Sequence, residues 1–183
     1  MEIETSLETI KKLSDKRETE NVDFRSFLKL LDLAPEDLDA IVQKITGEVW
    51  AQIDCTQCAN CCKKIRPVLD KADVSEFAYG LNTSISQFQE QYLLLDDKDP
   101  SSYIFNKLPC PFLLAKKCTN YYHRPEDCRS YPHLYKNDIV FKLWGVVENY
   151  KICPIVFNVY EQLKIELWNN KFIDDNDVEF DIP

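Results

Sequence analysis

The run DCTQCANCCKK, residues 54–64, sets Cys55, Cys58, Cys61 and Cys62 within eight positions. Cys110, Cys118, Cys128 and Cys153 follow, so all eight cysteines of the 183-residue chain lie between residues 55 and 153. Thiols at this density pair as disulfides, pack as small apolar residues or hold metal. A chain of this length builds its own core without staples. Its charged opening, MEIETSLETIKKLSDKRETE, lacks the apolar stretch of a secretory leader. The expected setting is therefore the reducing cytoplasm, which disfavours disulfides. Cysteines used as apolar filler scatter, whereas CxxCxxCC is regular. Metal ligation is the expectation, with all eight cysteines as candidate ligands.

The spacing allows two local geometries. A helix through the motif would put Cys55, Cys58 and Cys62 on one face at i, i+3 and i+7; a loop would bring each CxxC to one metal, as in zinc knuckles and ferredoxins. Adjacent Cys61 and Cys62 do not easily point the same way, which leaves one of them to serve a second metal, to bridge two, or to stand outside the ligand set. Two metal sites, or one polynuclear site fed by both cysteine groups, accounts for eight thiols. Lys63, Lys64, Arg66, Arg124 and Arg129 lie beside cysteines in the sequence and offer charge to offset the thiolates. Zinc and iron–sulfur both suit thiolate ligands and stay undistinguished.

Other chemistries find less support. The formal charge is −9, which opposes general binding to nucleic acid. Gly47, Gly80 and Gly145 are the only glycines and stand apart, so no P-loop or dinucleotide turn is assembled. No apolar run approaches the roughly 20 residues of a membrane span. His123 and His133 are conceivable ligands or bases, but neither joins the candidate site. Tyr121, Tyr122, Tyr131 and His133 would line a pocket if there is one.

The elements that must position the cysteines read as helices first. Leu7, Ile10 and Leu13 mark one; Phe24, Phe27, Leu28 and Leu31 mark a second; Pro35 with Glu36 and Asp37 opens a third that carries Leu38, Ile41, Val42, Ile45 and Val49 into the cluster. Val74, Phe77, Ala78 and Leu81 give another, with Gly80 near its C-cap, and Ser86 with Gln89 suggests a capping box for a helix bearing Phe88 and Tyr92. DIVFKLWGVV, residues 138–147, reads as a strand on its β-branched and aromatic content. The last helix has Cys153 at its cap, Pro154 at its first position, and a face of Val156, Val159, Tyr160, Leu163 and Leu167. The expected fold is mainly α with a small irregular or β component. It comprises a helical extension over 1–48, a metal-organised cysteine domain over 49–171 and an acidic, solvated tail over 172–183.

CTQCANCC followed by CPFLLAKKCTNYYHRPEDCRSYP resembles the YkgJ-type cysteine-cluster proteins, the zinc- or iron-chelating CxxCxxCC family. The resemblance rests on the four motif cysteines with Cys110, Phe112, Leu113, Cys118, Tyr122, Arg124, Pro125, Cys128, Arg129 and Pro132, and spans roughly residues 50–155. Two departures stand out. Ala115-Lys116-Lys117 holds no glycine before Cys118, and Lys63 replaces an arginine after the paired cysteines. The family implies a zinc or iron centre, and through its members three functions: a protein whose metal is at least partly structural, an iron–sulfur oxidoreductase, or a lysine N-methyltransferase-like activity. The sequence names no protein partner or substrate.

Overall fold

The computed structural model describes residues 3–169. The acidic tail expected over 172–183 lies outside the described residues. Helices dominate, and the strands are two or three residues long, so the fold is mainly α with a small β component. The described residues divide into two units, one formed by 3–53 with 132–169, the other by 54–131.

The first unit is helical. Helices α1 (Leu7–Lys16), α2 (Glu18–Leu30) and α3 (Pro35–Trp50) form where their apolar spacing predicts, α3 with Pro35 in its first turn. They bury Ile10, Phe24, Leu28, Leu38, Val42, Ile45 and Val49. At the far end of the chain comes the helix Pro154–Leu163, capped at Cys153 and buried from Pro154 to Tyr160, which packs against α3 and α1. A helix surrounded on so many sides has no room for a polar face.

Residues 138–147 do not form the expected strand. Ile139–Phe141 is a 3-10 turn and Leu143–Tyr150 an α-helix. Buried Asp39 of α3 accepts the backbone N–H groups of Asp138 (2.7 Å) and Ile139 (2.9 Å), with Asp138 in the left-handed region at φ 58°. That bond pair starts a helical turn, and Leu143, Val146 and Tyr150 then supply a buried face at i, i+3 and i+7. Tertiary capture overrides the β propensity of the stretch.

The second unit has its own apolar core. In chain order it contains α4 (Cys55–Cys58), α5 (Asn60–Lys64), β1 (Val68–Leu69), α6 (Lys71–Gly80), α7 (Ile85–Tyr92), β2 (Leu93–Leu95), β3 (Tyr103–Phe105), β4 (Leu113–Leu114), β5 (Lys117–Cys118) and α8 (Glu126–Ser130). In the remainder of the chain, α9 is Leu143–Tyr150 and α10 is Pro154–Leu163. Antiparallel strands in the order β1-β3-β2 form one sheet, with Val68 opposite Ile104 and Ile104 opposite Leu94; β4 and β5 form a hairpin. Phe77, Phe88, Phe105 and Phe112 pack with Leu69, Val74, Ala78 and Leu93. Phe112 lies 4.7 Å from Phe77 and 4.8 Å from Tyr92 between ring centroids; aromatic pairs of this kind add about 0.5–1.5 kcal/mol beyond the area they bury. Two capping boxes start the helices here, Asp70 with Asp73 for α6 and Ser84 with Gln87 for α7. The second sits two residues before the Ser86/Gln89 pair read from the sequence, because Ser84 already accepts the Gln87 N–H.

A candidate metal centre built from two cysteine segments

The CxxCxxCC motif is neither one helix nor an open loop. Asp54 caps α4 by accepting the N–H of Thr56 at 2.9 Å, and α4 lasts a single turn. Ala59 then takes the left-handed conformation (φ 54°) and α5 restarts the helix with Cys61 and Cys62. For a residue with a Cβ this conformation costs about 1–2 kcal/mol, and it breaks the single face that would have aligned Cys55, Cys58 and Cys62. Cys61 and Cys62 sulfurs lie 4.0 Å apart. Adjacent cysteines in one helical turn thus do point near one another, against the expectation from their sequence positions.

The downstream cysteines are fastened to this motif and to the aromatic core. The Cys110 N–H donates to the Cys62 carbonyl at 2.8 Å. Cys118 stands opposite Leu113 in the β4–β5 hairpin, whose turn residues Ala115 (φ 46°) and Lys116 (φ 67°) both adopt the left-handed region. The turn expected to need glycine is therefore built without it, in the φ pattern of a tight two-residue hairpin. Cys110 and Cys118 pack against the Phe77–Phe112 core. Beyond the hairpin, α6 serves as the platform. Its Phe77 carbonyl accepts from Asn120 Nδ2 at 2.9 Å, its Glu76 carboxylate meets His123 Nδ1 at 2.6 Å, and Asp73 Oδ1 accepts the Glu126 N–H at 2.9 Å. Asp127 Oδ2 accepts the Val68 N–H at 3.1 Å, which fixes α8 and its Cys128 against β1.

Gly80 is the last residue of α6 and no described glycine has positive φ, so its use is not the C-cap conformation. A Cβ there would lie 2.3 Å from Asn120 Oδ1 and 2.4 Å from His123 Cδ2. Its bare backbone lets the segment after Cys118 approach. Sequence reasoning did not find Asp73, Glu76, Gly80, Asn120 or Asp127 as site residues; the Asp70–Asp73 capping pattern was the one local signal, and the rest depend on long-range pairing.

The thiols sense one another. Burial pushes up the thiols of Cys118, of Cys110 to about 11 and of Cys128 higher still, and Cys62 adds to the rise in all three. Cys110 and Cys118 in turn raise Cys128. Cys62 moves the other way, down to about 7, because Cys61 donates to its thiolate, its own backbone N–H assists, and the Arg124 charge favours the anion. Burial, Asp54 and Cys58 raise Cys55, while Arg124 opposes them. Cys62, Cys110, Cys118 and Cys128 therefore form one electrostatic group, with Cys55, Cys58 and Cys61 on its motif side. Cys55 is exposed and the other six of this unit are half-buried. Cys153 belongs to the helical unit, buried at the cap of α10.

Among the described residues, no three His, Cys, Asp or Glu side chains already stand around a point where an ion would sit. The donor chemistry nonetheless fits a thiophilic metal, since cysteine sulfur is the dominant donor and zinc and iron–sulfur centres take it. Of the expected aromatic lining, Tyr122 is 91% exposed and Tyr121 packs under Arg124, while His133 belongs to the helical unit.

A family model matches residues 54–154, more than half of the chain and every cysteine in it: CxxCxxCC, described as a putative zinc- or iron-chelating domain. The chain belongs to the CxxCxxCC family. No curated protein and no solved structure matches it. For this CxxCxxCC protein the family description places it among metal binders, with zinc or iron as the metal. The matched span opens on Asp54, the residue that caps the first turn of the motif, and closes on Pro154, which starts α10. No described helix is long and apolar enough to cross a membrane.

Proposed function

We propose that this protein holds zinc or an iron–sulfur cluster through thiolates of both cysteine segments, and that the metal is at least partly structural. The observation that carries the reading is the convergence of Cys62 with Cys110, Cys118 and Cys128. The Cys110 N–H bond to the Cys62 carbonyl ties the two segments, and Cys62 raises the thiols of Cys110, Cys118 and Cys128. Cys55, Cys58 and Cys61 supply further thiols on the motif side. Cys153 stays a candidate on its place in the cysteine series, and a fall in metal content in Cys153→Ser would count it in.

The structural role follows from where the apolar core is and is not. Leu69, Val74, Phe77, Phe88, Phe105 and Phe112 hold the centre of the second unit. Residues 55–66 and 121–131 add none of their side chains to that cluster beyond the polar bonds already described. Ligation across these segments would supply the cross-links that burial does not, at the cost of releasing the thiol protons. Purification without oxygen, with zinc, iron and acid-labile sulfide measured per chain, tests this. Colourless protein with zinc supports the structural reading. Brown protein with matched iron and sulfide would favour the second reading, an iron–sulfur oxidoreductase, for which exposed Cys55 offers an edge of the centre to a redox partner. Protein with neither metal would refute both.

A further inference from the structure

Helices α2 and α9 pack together within the helical unit, and an arginine at their contact lacks an acceptor. The Arg25 guanidinium lies 4.9 Å from the centroid of the Trp144 ring. Its Nε is buried without a hydrogen-bond partner, and among the described residues Arg25 enters no ion pair. Buried donors in folded proteins are nearly always satisfied, so this guanidinium points to an acceptor outside the described residues. The apolar surface beside it is also uncovered. Trp144 is 51% exposed and Phe141, three positions earlier, 76%. Gly145 follows Trp144 inside α9, although glycine weakens a helix relative to alanine. Its φ is not positive, and an added Cβ would meet nothing within 4 Å. A chain lying across α9 at this point would use that bare backbone. Lys29, exposed and one turn beyond Arg25 on α2, adds a second cation. On a chain of formal charge −9, this face is basic and aromatic.

The same chain carries the complementary chemistry. Residues 172–182, FIDDNDVEFDI, set five carboxylates among five apolar side chains. The chain leaves the described fold beside α2, where Trp168 stacks on Phe24 at 5.2 Å and on Phe27 at 6.3 Å, the residues flanking Arg25 in sequence. Extended chain covers about 3.3 Å per residue, so ten residues from there reach about 33 Å, ample to pass round one side of a helix about 10–12 Å across. A guanidinium stacked on a ring through its face keeps N–H donors at its edge for a carboxylate. We propose that the acidic segment 172–182 docks on the face formed by α2 and α9, with its carboxylates on Arg25 and Lys29 and its apolar side chains on Trp144 and Phe141. The contact belongs to the helical unit and needs no metal.

Photo-crosslinking of the full chain tests this. The photoreactive substitution Phe180→p-benzoylphenylalanine is introduced, isotopically heavy and light chains are mixed and irradiated, and the adducts are mapped by mass spectrometry. Adducts are expected within single chains, on residues 22–29 of α2 and 141–148 of α9. Adding Arg25→Gln should lower their yield about tenfold, the effect of one hydrogen bond to a charged group. About 1 M salt should lower it too, as the screening length falls to about 3 Å. Adducts elsewhere in the chain, or none, overturn the proposal. Adducts joining heavy to light chains also overturn it, since a second copy would then supply the occupant. So does a yield that neither Arg25→Gln nor salt reduces. Should Arg25→Gln fail to fold, Asp174→Asn/Asp175→Asn/Asp177→Asn leaves the face untouched and is expected to lower the yield in the same way; an unchanged yield there overturns the charge pairing.

Discussion

The backbone N–H of Cys110 donates to the carbonyl oxygen of Cys62 at 2.8 Å, across 48 positions of sequence. This bond sets the register of the downstream cysteines against the motif. It ends α5 with a partner for one of its carbonyls, and it starts the Cys110–Leu113 turn that delivers Phe112 to the aromatic core. One main-chain contact therefore links the element that presents Cys62 to the element that buries Cys110. Because the bond is between backbone groups, it survives substitution of either thiol.

That property allows ligand loss to be separated from misfolding. Cys62→Ser and Cys128→Ser are expected to keep the helical content of the unaltered protein and to lose bound metal, each by at least half, when zinc and iron are measured after anaerobic purification. Cys62 touches every other thiol of the group electrostatically, so its variant should be the more depleted. Full loading of both variants would show that the two segments do not share the metal.

Gly80→Ala tests the platform beneath Cys118 and Cys128. The added methyl would need the space of Asn120 Oδ1 and of the His123 ring, at 2.3 and 2.4 Å. Neither side chain yields without losing its bond to Phe77 or Glu76. Overpacking of this kind costs about 1–3 kcal/mol, against an intrinsic helix preference of about 1 kcal/mol in favour of alanine. Net destabilisation of the metal-free protein in urea is expected, and stabilisation would contradict the close approach.

Helix positions were legible because their signals are local. Pro35 and Pro154 mark first turns, and the spacing of Phe24 with Leu28 or of Val156 with Val159, Tyr160 and Leu163 gives faces directly. The candidate ligands were legible too, since CxxCxxCC is a spacing. The break at Ala59 was not: nothing in its residue type announces a left-handed conformation at a buried methyl. Residues 138–147 misled because Asp39, about a hundred positions earlier, supplies the acceptors that start the turn. Asp73 and Gly80 act through segments more than 35 positions away, and no local pattern encodes that distance.

The metal-free thiols should titrate far apart. Cys62, held near 7, is expected to be alkylated first by iodoacetamide, with a midpoint close to that pH, while Cys110 stays protected until about 11. Mass spectrometry of cysteine labelling against pH reads both. Stability follows with opposite signs. The raised Cys110 contributes stability that is complete below the unfolded thiol value of about 8.5 and lost as pH climbs towards 11. The lowered Cys62 contributes stability present above about 8.5 and lost as pH falls through 7. The metal-free protein should therefore be most stable near pH 8–9 on account of these two groups, and equal labelling of both cysteines at pH 7 would contradict the arrangement.

In the helical unit, Lys164 Nζ lies 2.6 Å from Glu20 Oε1, 2.6 Å from Asn21 Oδ1 and 2.8 Å from Glu161 Oε1, with its side chain 7% exposed. Glu161 also takes Arg17 and the hydroxyl of Tyr150, the latter at 2.7 Å. The carboxylate is thus the shared acceptor that joins α1 and α2 to α10. Glu161→Leu would take one of three acceptors from the buried Lys164 ammonium, which keeps Glu20 and Asn21, and would remove the carboxylate that Tyr150 and Arg17 share; a loss of about 1–3 kcal/mol is expected. Because Glu161 and Lys164 are direct partners, the combined loss in Glu161→Leu/Lys164→Met should fall short of the two single changes added. Urea unfolding of the three variants measures the difference, and strictly additive losses would mean that the pair acts as two independent packing contacts.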